Sequence, residues 1–332
     1  MTAALWRDRP TLVTGATGFL GGWVVSRLLD HGAQVVVLLR DEPPTSFVSL
    51  TGNLQRCAVV RGELADLSLL ERSIGEYGID TVFHLAAQSQ VGVAHRGPYH
   101  TYEANVRGTY TLLEAARRAR PMSAIVVASS DKAYGSHDSL PYTEDMELLG
   151  LNPYDASKAI ADTMARSYAA TYGTPTVVTR CGNLFGGGDL NWARLVPGTL
   201  RSLLRGERPV LRSDGSPIRD YLHVSDAADA CLVLAERAKE VAGQAFNLSL
   251  ERPVSVIEMV KRIADVAGRS ADPILLNDAP GEIARQYLSA AKIRTIIGWK
   301  PRLSLEEGLA EAVDWYRHYL EAPSAFVADG AR

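Results

Sequence analysis

The feature that most constrains the fold is a short apolar strand that leads directly into a glycine loop and then into a helical pattern. Residues 11–14 form the predicted strand, and the loop reads Gly15-Ala16-Thr17-Gly18-Phe19-Leu20-Gly21. Glycines at these places let the backbone turn sharply and approach a pyrophosphate, while the next helix offers unpaired N–H groups and the positive end of its dipole. The sequence therefore predicts a dinucleotide-binding βαβ unit.

Further β-branched runs alternate with amphipathic stretches through the first half of the chain. The predicted strands are residues 34–39, 57–61, 81–85, 124–128 and 176–179. Such alternation is typical of a parallel sheet that is covered by helices on both faces. The predicted fold class is α/β, a Rossmann doubly wound parallel sheet with a smaller C-terminal substrate-binding domain.

The alternation stops after residue 180, where glycine, proline and arginine become frequent. A helix is predicted at residues 192–204 in this part. A helix over about 225–239 and a strand over 245–248 predict a return to the sheet, before a helical tail from residue 254 onward. We expect the Rossmann domain to comprise residues 1–181 and 221–250, and a ligand-covering domain to comprise residues 182–220 and 251–332.

Composition excludes several classes of protein. The chain has 332 residues, 46% hydrophobic and 22% charged, which fits a globular protein of about two domains stabilised by packing. A net charge of −3 gives no electrostatic case for nucleic acid or an anionic membrane as a partner. Neither a signal peptide nor an apolar run of about 18 residues is visible, so no membrane insertion is expected.

The cysteines indicate a reducing compartment. They are three in number and far apart, at Cys57, Cys181 and Cys231, which fits no disulfide framework. No Cys/His/Asp cluster has the spacing of metal ligands, so no metal is expected. We therefore expect a cytoplasmic protein.

The end of the second predicted strand bears on the cofactor. Leu39 closes the strand, and Arg40 and Asp41 follow. Arg40 could pair with the 2′-phosphate of NADP, whereas Asp41 could reach a ribose hydroxyl of NAD. The pattern favours NADP slightly over NAD, and a solvated charge pair at the strand exit is the alternative interpretation.

A second constellation follows the fifth predicted strand. Ser130, Asp131 and Lys132 stand there, and Tyr154 and Lys158 are four residues apart in a predicted helix, on one face. Lowering the pKa of the phenol from about 10 to about 7 takes roughly 4 kcal/mol. One positive charge about 4 Å away supplies about that amount at an effective dielectric of about 20, and an oxidised nicotinamide would add another charge. We expect Tyr154 to act as a base at neutral pH.

Many motifs in a fixed order extend this pattern over nearly the whole chain. They are the glycine loop, His84-Leu85-Ala86-Ala87, Asn105-Val106-Arg107-Gly108-Thr109, Ser130 with Tyr154 and Lys158, Arg180-Cys181-Gly182-Asn183, Arg219-Asp220-Tyr221-Leu222-His223-Val224-Ser225-Asp226 and Gly298-Trp299-Lys300-Pro301. The set resembles the extended short-chain dehydrogenase/reductase family, whose members act on nucleotide-sugars.

The resemblance implies a bound NAD or NADP, a nucleotide-diphosphate sugar gripped by the C-terminal domain, and a homodimer formed through two helices, here about residues 99–119 and 154–172. It implies that Ser130, Tyr154 and Lys158 carry the hydride chemistry. The implied cofactor contacts are Gly15, Thr17, Gly18, Phe19, Leu20, Gly21, Arg40, Asp41, Glu63, Leu64, Leu85, Ala86, Ala87, Tyr154 and Lys158. The implied substrate contacts are Gln88, Ser130, Asn183, Leu195, Arg219 and Arg285, with the two arginines as candidates for the diphosphate.

The two residues after Ser130 point to the type of reaction. Members of this family first oxidise the sugar at C4, and a dehydratase must then remove the C5 proton and expel the 6-hydroxyl, which requires an acid and a base. The Ser-Asp-Lys order resembles the CDP-glucose 4,6-dehydratase branch, as do Gly186-Gly187-Gly188-Asp189 and Leu195-Val196-Pro197. We hypothesise that Asp131 protonates the departing hydroxyl. Lys132 would assist deprotonation of C5 or stabilise the enolate charge.

Two other functions stay open at this stage. The motif continues into Ala133-Tyr134-Gly135, an ending also found widely in 4-epimerases of the family, and an exposed Asp-Lys pair would contribute little. A regulator that binds NAD(P) without turning it over is disfavoured, because such proteins usually lack the Tyr/Lys pair that is present here.

Overall fold

A computed structural model describes residues 3–119, 121–278 and 283–321. The strands in these ranges are β1 (Pro10–Thr14), β2 (Gln34–Leu39), β3 (Ala58–Arg61), β4 (Thr81–His84), β5 (Ala124–Ala128), β6 (Thr176–Cys181), β7 (Asn183–Phe185), β8 (Val210–Leu211), β9 (Ile218–Arg219), β10 (Tyr221–His223), β11 (Ala245–Leu248), β12 (Val254–Ser255), β13 (Ile274–Leu275) and β14 (Arg285–Gln286). The α-helices are α1 (Ala3–Trp6), α2 (Phe19–Asp30), α3 (Phe47–Leu50), α4 (Leu67–Glu76), α5 (Val91–Arg96), α6 (Pro98–Tyr102), α7 (Gly108–Arg118), α8 (Pro153–Tyr172), α9 (Leu195–Leu204), α10 (Val224–Glu236), α11 (Val256–Ala267), α12 (Ala291–Ile297) and α13 (Leu305–Glu321).

A seven-stranded parallel sheet forms the centre of the molecule. Its strand order is β11-β6-β5-β4-β1-β2-β3, and every neighbouring pair is parallel. Neighbouring residues of one strand face opposite sides, and in β1 both Leu12 and Val13 are fully buried. This confirms the predicted Rossmann doubly wound sheet, because both faces are covered.

Each face of the sheet has its own hydrophobic core. Helices α2 and α10 pack with Val13 and Phe83 on one face. Helices α4, α7 and α8 pack with Leu12 and Val82 on the other. The sheet therefore lies between two helical layers, and its strand ends are the positions that remain available for ligands.

The region beyond β6 is less regular than the sheet. Helices α9, α11 and α13 pack around Phe185 and Tyr221 to form a further core. Three small sheets accompany them, β10-β7, β12-β9-β14 and β13-β8. Strand β10 pairs with β7 outside the central sheet, whereas β11 joins β6 as the seventh strand, so the predicted return to the sheet is confirmed for residues 245–248.

The tail from residue 254 onward, predicted to be helical, contains the helices α11, α12 and α13 but also short strands. That segment contains β12, β13 and β14, each of two residues, which are too short to show any periodicity. Helix α12 also packs through Ile293 into the core on the α2 face of the sheet. The proposed division of the chain into domains stays a prediction.

The helix predicted at residues 99–119 is interrupted. It consists of α6, a π-helical turn at Glu103–Arg107 and α7, which ends at Arg118. The turn contains the buried Asn105, whose side chain has partners outside the helix, and an inserted residue of this kind is a frequent mark of a functional site. The helix predicted at 192–204 begins at Leu195.

The described residues include no helix with both the length and the apolar character needed to cross a bilayer.

Candidate active site

The glycine loop, residues 15–21, packs against the end of β4 by backbone contact. Gly15 has φ of +76°, and a Cβ atom there would lie 2.5 Å from the Ala86 nitrogen. A Cβ atom on Gly21 would lie 2.0 Å from the Gly15 carbonyl oxygen. Gly18 begins α2 without a side-chain cap, so the first-turn N–H groups meet no side-chain acceptor. This cradle fits a cofactor pyrophosphate, as the sequence predicts.

The other predicted cofactor residues lie along the same edge of the sheet. Thr17, Phe19 and Leu20 are half-buried within the loop itself, and Leu85, Ala86 and Ala87 follow β4 directly. At the end of β2, Arg40 and Asp41 form an exposed ion pair with 2.7 Å between Nε and Oδ2, and Glu63 acts electrostatically on Arg40. The Leu64 side chain lies against Gly108.

A directional hydrogen-bond chain fixes His84 beneath the glycine loop. Thr109 Oγ1 donates to the Asn105 carbonyl at 2.6 Å, so it can only accept from His84 Nε2 at 2.9 Å. His84 Nδ1 then accepts from Thr14 Oγ1 at 2.8 Å, and Thr14 in turn accepts from the Ala86 nitrogen. Burial, and then the Lys158 charge, lower the pKa of His84 to about 3, so the ring is neutral.

The Asn105 amide continues this chain to the catalytic helix. Its Oδ1 accepts from the Gln88 nitrogen at 2.7 Å, and its Nδ2 donates to Ser157 Oγ at 2.9 Å. Ser157 donates to the Tyr154 carbonyl. The segment that carries Gln88, a predicted substrate contact, is thereby tied to the start of α8.

The catalytic turn, residues 130–135, follows β5 and begins with a 3-10 helix at Asp131–Tyr134. The Ser130 hydroxyl caps this helix by accepting from the Lys132 nitrogen, and it donates to Asp131 Oδ1 at 3.0 Å. Ser130 also contributes a hydrogen bond to Tyr154. Ser130, Asp131 and Tyr154 are all buried, so the structure brings three of the five predicted catalytic residues into one cluster.

Tyr154 and Lys158 lie on one face of α8, and the lowering of the phenol pKa that is expected from Lys158 and an oxidised nicotinamide together stays a prediction. Burial raises the pKa of Tyr154 to about 12, although the Ser130 hydrogen bond acts in the opposite direction. Burial also lowers the pKa of Lys158 to about 8. The Lys158 ammonium donates to the Ala128 carbonyl at 2.8 Å.

Gln286 is a site residue that sequence reasoning missed. Its side chain is fully buried, and its Nε2 donates to the Asp131 carbonyl at 3.1 Å. Its Oε1 accepts from Lys132 Nζ. No motif marks this glutamine, because its contact joins positions far apart in the sequence and it belongs to a two-residue strand.

Two buried carboxyls near the turn were also missed as site residues. Burial raises the pKa of Asp155, which follows Tyr154, while Asn152 and the Lys132 charge act against this. Burial raises the pKa of Asp220 to about 6, although Ser249 donates to its carboxylate. Asp131 acts electrostatically on both, so the turn carries a cluster of acids. Position next to a motif residue was the available signal for Asp155.

The predicted substrate residues lie beyond the sheet edge. Asn183 opens β7 and donates its backbone N–H to the Asp220 carbonyl, and Leu195 begins α9. Arg219 is buried and lies directly opposite Gln286 in the pairing of β9 with β14, so both side chains face one side of that small sheet. Arg285 is exposed on the opposite side and donates to the Tyr287 hydroxyl. The structure does not bring the two arginines together on one face.

The glycine run at residues 186–188 contacts the protein's own aromatic residues. A Cβ atom on Gly187 would lie 2.4 Å from Trp315, and one on Gly188 would lie 2.4 Å from Phe47. The Gly187 carbonyl accepts from Trp23 Nε1. Packing is thus a sufficient physical reason for these glycines.

A buried ion pair, Arg180 with Asp162, contacts the catalytic turn at Tyr134. Arg180 binds Asp162 with two hydrogen bonds of 2.7 and 3.0 Å, and both side chains are fully buried. Arg180 also donates to the Tyr134 hydroxyl at 2.8 Å, and Tyr134 donates to Asn247. The end of the turn is therefore fixed to β6 and β11.

Within the described ranges, no group of three or more His, Cys, Asp or Glu side chains could hold a metal ion. The three cysteines are unpaired.

Comparisons with known proteins agree with this geometry. The NAD dependent epimerase/dehydratase family matches residues 11–249. A dTDP-glucose 4,6-dehydratase of Xanthomonas campestris pv. campestris is 32% identical, over 92% of this chain and 92% of the relative. A CDP-glucose 4,6-dehydratase of Salmonella typhimurium is 30% identical, over 97% of this chain and 94% of the relative. The crystal structure of a UDP-glucose 4-epimerase of Thermotoga maritima with UDP-glucose has a TM-score of 0.85 at 28% identity, over 93% of this chain and 99% of that one.

Proposed function

Because the chain belongs to the NAD-dependent epimerase/dehydratase family, we propose that it is a nucleotide-diphosphate-sugar 4,6-dehydratase that yields a 4-keto-6-deoxy sugar. The observation that carries the proposal is the catalytic turn. Asp131 and Lys132 directly follow Ser130, and Asp131 is buried beside the group that contacts Tyr154. Loss of water from C5 and C6 requires an acid and a base, and a carboxyl group and an amine at this place could supply them.

The first step would be oxidation at C4. Tyr154 would accept the proton of the 4-hydroxyl, while the Ser130 hydroxyl stays hydrogen-bonded to the phenol oxygen. A nicotinamide bound at the glycine loop would take the C4 hydride, later return it to C6, and add a positive charge that favours the phenolate. Lys158, with a pKa of about 8, would remain largely protonated at neutral pH and keep this end of α8 cationic.

The second step would be elimination. The C4 ketone acidifies the C5 proton, which Lys132 would accept or help to remove by stabilising the enolate charge. Asp131 would donate a proton to the 6-hydroxyl as the C6–O bond breaks, so that one water leaves. The proton taken from C5 balances the proton given to the departing hydroxyl. When the hydride returns to C6, C5 regains a proton, which balances the one that Tyr154 took from the 4-hydroxyl.

The Ser130-Asp131-Lys132 order supports a substrate of the CDP-glucose type within this class. An NDP-sugar 4-epimerase is the second candidate. It is favoured by the overlap with the UDP-glucose 4-epimerase fold and by the Tyr134-Gly135 ending of the turn. Epimerisation would need Tyr154 and Ser130 but no group that expels the 6-hydroxyl.

Incubation with CDP-, dTDP-, GDP- and UDP-hexoses, with NAD or NADP, separates the two candidates by product mass. We expect the product to be lighter by one water. Asp131→Asn should reduce its formation about 10²- to 10⁴-fold, while Asp138→Asn, at an exposed position of the next loop, should not. A product of unchanged mass would instead support epimerisation, and full activity of Asp131→Asn would remove that residue from the reaction.

We propose NADP as the slightly preferred cofactor on the basis of Arg40. Its guanidinium is exposed at the end of β2, although Asp41 holds it in an ion pair. Arg40→Ala should raise the KM for NADP more than the KM for NAD. An equal change for both cofactors would show that Arg40 does not contact a 2′-phosphate.

We also propose a homodimer that forms through α6, α7 and α8. Exposed apolar side chains lie on these helices, namely Tyr99, Tyr102, Tyr110, Ile160 and Tyr172. These side chains are available for burial in an interface between two copies of the chain. Sedimentation should show a dimer at micromolar concentration, and a monomer there would contradict the proposal.

A further inference from the structure

Gln286 bridges the two residues to which the proposed function assigns the elimination. Its Oε1 accepts from Lys132 Nζ, and its Nε2 donates to the Asp131 carbonyl at 3.1 Å. The orientation of the amide is fixed by its partners, because an ammonium can only donate and a carbonyl can only accept. Both polar ends of this buried side chain are therefore committed to the catalytic turn.

The strand that carries Gln286 is held firmly. It pairs with β9, where Gln286 lies opposite Arg219. Directly after it, the Tyr142 nitrogen donates to the Tyr287 carbonyl, and the Tyr142 hydroxyl donates to the Gly135 carbonyl. The amide is thus a fixed point to which the ammonium and the start of the turn are attached.

We infer that Gln286 is a positioning residue, which holds the Lys132 amine and the Asp131 backbone in place for the elimination step. A neutral amide can orient the amine without adding a negative charge beside it, as a carboxylate would. Because Gln286 faces the same side as Arg219, a candidate for the diphosphate, it also links the substrate side of the molecule to the turn. This inference rests on the proposed dehydratase function.

The test uses two variants and separates the two steps of the reaction. Gln286→Met keeps the volume but removes both hydrogen bonds, and Gln286→Glu keeps a polar group of equal size but replaces the donor. With the preferred NDP-hexose, both should lower kcat for water loss about 10- to 100-fold, with the KM changed by less than about twofold. C4 oxidation, followed in single turnover by the absorbance of reduced nicotinamide, should keep its wild-type rate, because the side-chain hydrogen bonds of Gln286 go to Lys132 and Asp131.

Two controls exclude a general loss of structure. Gln244→Met replaces a half-buried glutamine far from the turn and should leave both steps unchanged. In a Lys132→Met background, Gln286→Met should have a smaller effect than in the wild type, because only its hydrogen bond to the Asp131 carbonyl is then left to lose. Wild-type water loss in either Gln286 variant, or equal slowing of both steps, would overturn the inference. If the wild-type protein itself released no water, the proposed function would fail as well.

Discussion

The glycine loop and the catalytic turn follow strands of the same sheet, but they are held in place by different kinds of contact. The glycine loop is fixed by backbone packing. A Cβ atom on Gly15 or Gly21 would lie within 3 Å of backbone atoms elsewhere in the chain. The catalytic turn is fixed by side chains from distant segments, among them Arg180, Asn247 and Gln286. The first arrangement depends on the absence of side chains, and the second depends on their polar ends being satisfied.

Because of this difference, the two regions should be sensitive to different kinds of substitution. Any added atom disturbs the glycine loop, because close backbone contacts leave no space. Removing one side chain that holds the catalytic turn would leave its buried partner without a hydrogen bond or counter-charge. Such an uncompensated polar or charged group lowers the free energy of unfolding. Substitutions of the two kinds should therefore separate the two regions.

The largest effect is expected at the ion pair beneath the catalytic turn. Arg180→Met would leave the buried Asp162 carboxylate with only the more distant Arg166, at 3.9 Å, and breaking a buried pair typically costs about 3–5 kcal/mol. Urea unfolding followed by circular dichroism would measure the loss in the free energy of unfolding.

The matched control is the double substitution Arg180→Met with Asp162→Leu, which removes both charges and should recover much of the loss. A loss of less than about 1 kcal/mol for the single variant would contradict the view that paired polar groups hold the turn.

A smaller effect is expected in the glycine loop. Gly21→Ala would place a Cβ atom 2.0 Å from the Gly15 carbonyl oxygen, which should cost up to about 3 kcal/mol and weaken cofactor binding at least tenfold. Thermal melting and a fluorescence titration with NAD would measure the two quantities.

Gly75→Ala is the control, because a Cβ atom there, in the last turn of α4, meets nothing within 4 Å. It should leave cofactor binding unchanged and stabilise the protein by about 0.5–1 kcal/mol. If both glycine variants behaved alike, steric contact would not be what holds the loop.

The smallest effect, at most about 1.4 kcal/mol for each pH unit, concerns the pH dependence of stability at His84. Its pKa falls to about 3 on folding, so between about 3 and 6.5 the unfolded chain binds a proton that the folded chain does not. Stability is therefore full above this window and is lost as the pH falls through it, by up to about 1.4 kcal/mol per pH unit.

His84→Gln keeps a neutral donor and acceptor, so the free energy of unfolding should decrease less steeply with acid in this variant than in the wild type. Urea titrations at several pH values in the window would measure both slopes. Equal slopes would indicate that His84 titrates alike in the folded and unfolded chains.

The sequence predicted the parts of the molecule that depend on local pattern. The strands predicted at 34–39, 124–128 and 245–248 coincide with β2, β5 and β11, because β-branched runs bounded by turn residues are local signals. The sharp turn of the glycine loop was predicted as well, and Gly15 has φ of +76°. The cluster of Ser130, Asp131 and Tyr154 was within reach because each belongs to a motif.

What could not be predicted depends on pairing across long distances. Strands β12 and β14 exist only through β9, and their two residues carry no periodicity. The contact of Gln286 with Lys132 spans 154 positions, which no motif or spacing indicates. The partner of Lys158, the Ala128 carbonyl, is a backbone atom, so residue types alone could not reveal that the amine would turn toward it.

The position of β11 has a consequence for folding during translation. On the ribosome, β6 emerges long before β11, so its outer edge, with the buried Val177 and Val178, lacks its neighbour until residue 248 has been made. At ordinary translation speeds this interval is on the order of several seconds. An unpaired apolar edge invites pairing with other chains, so nascent chains caught in this interval are the ones that chaperones would have to shield.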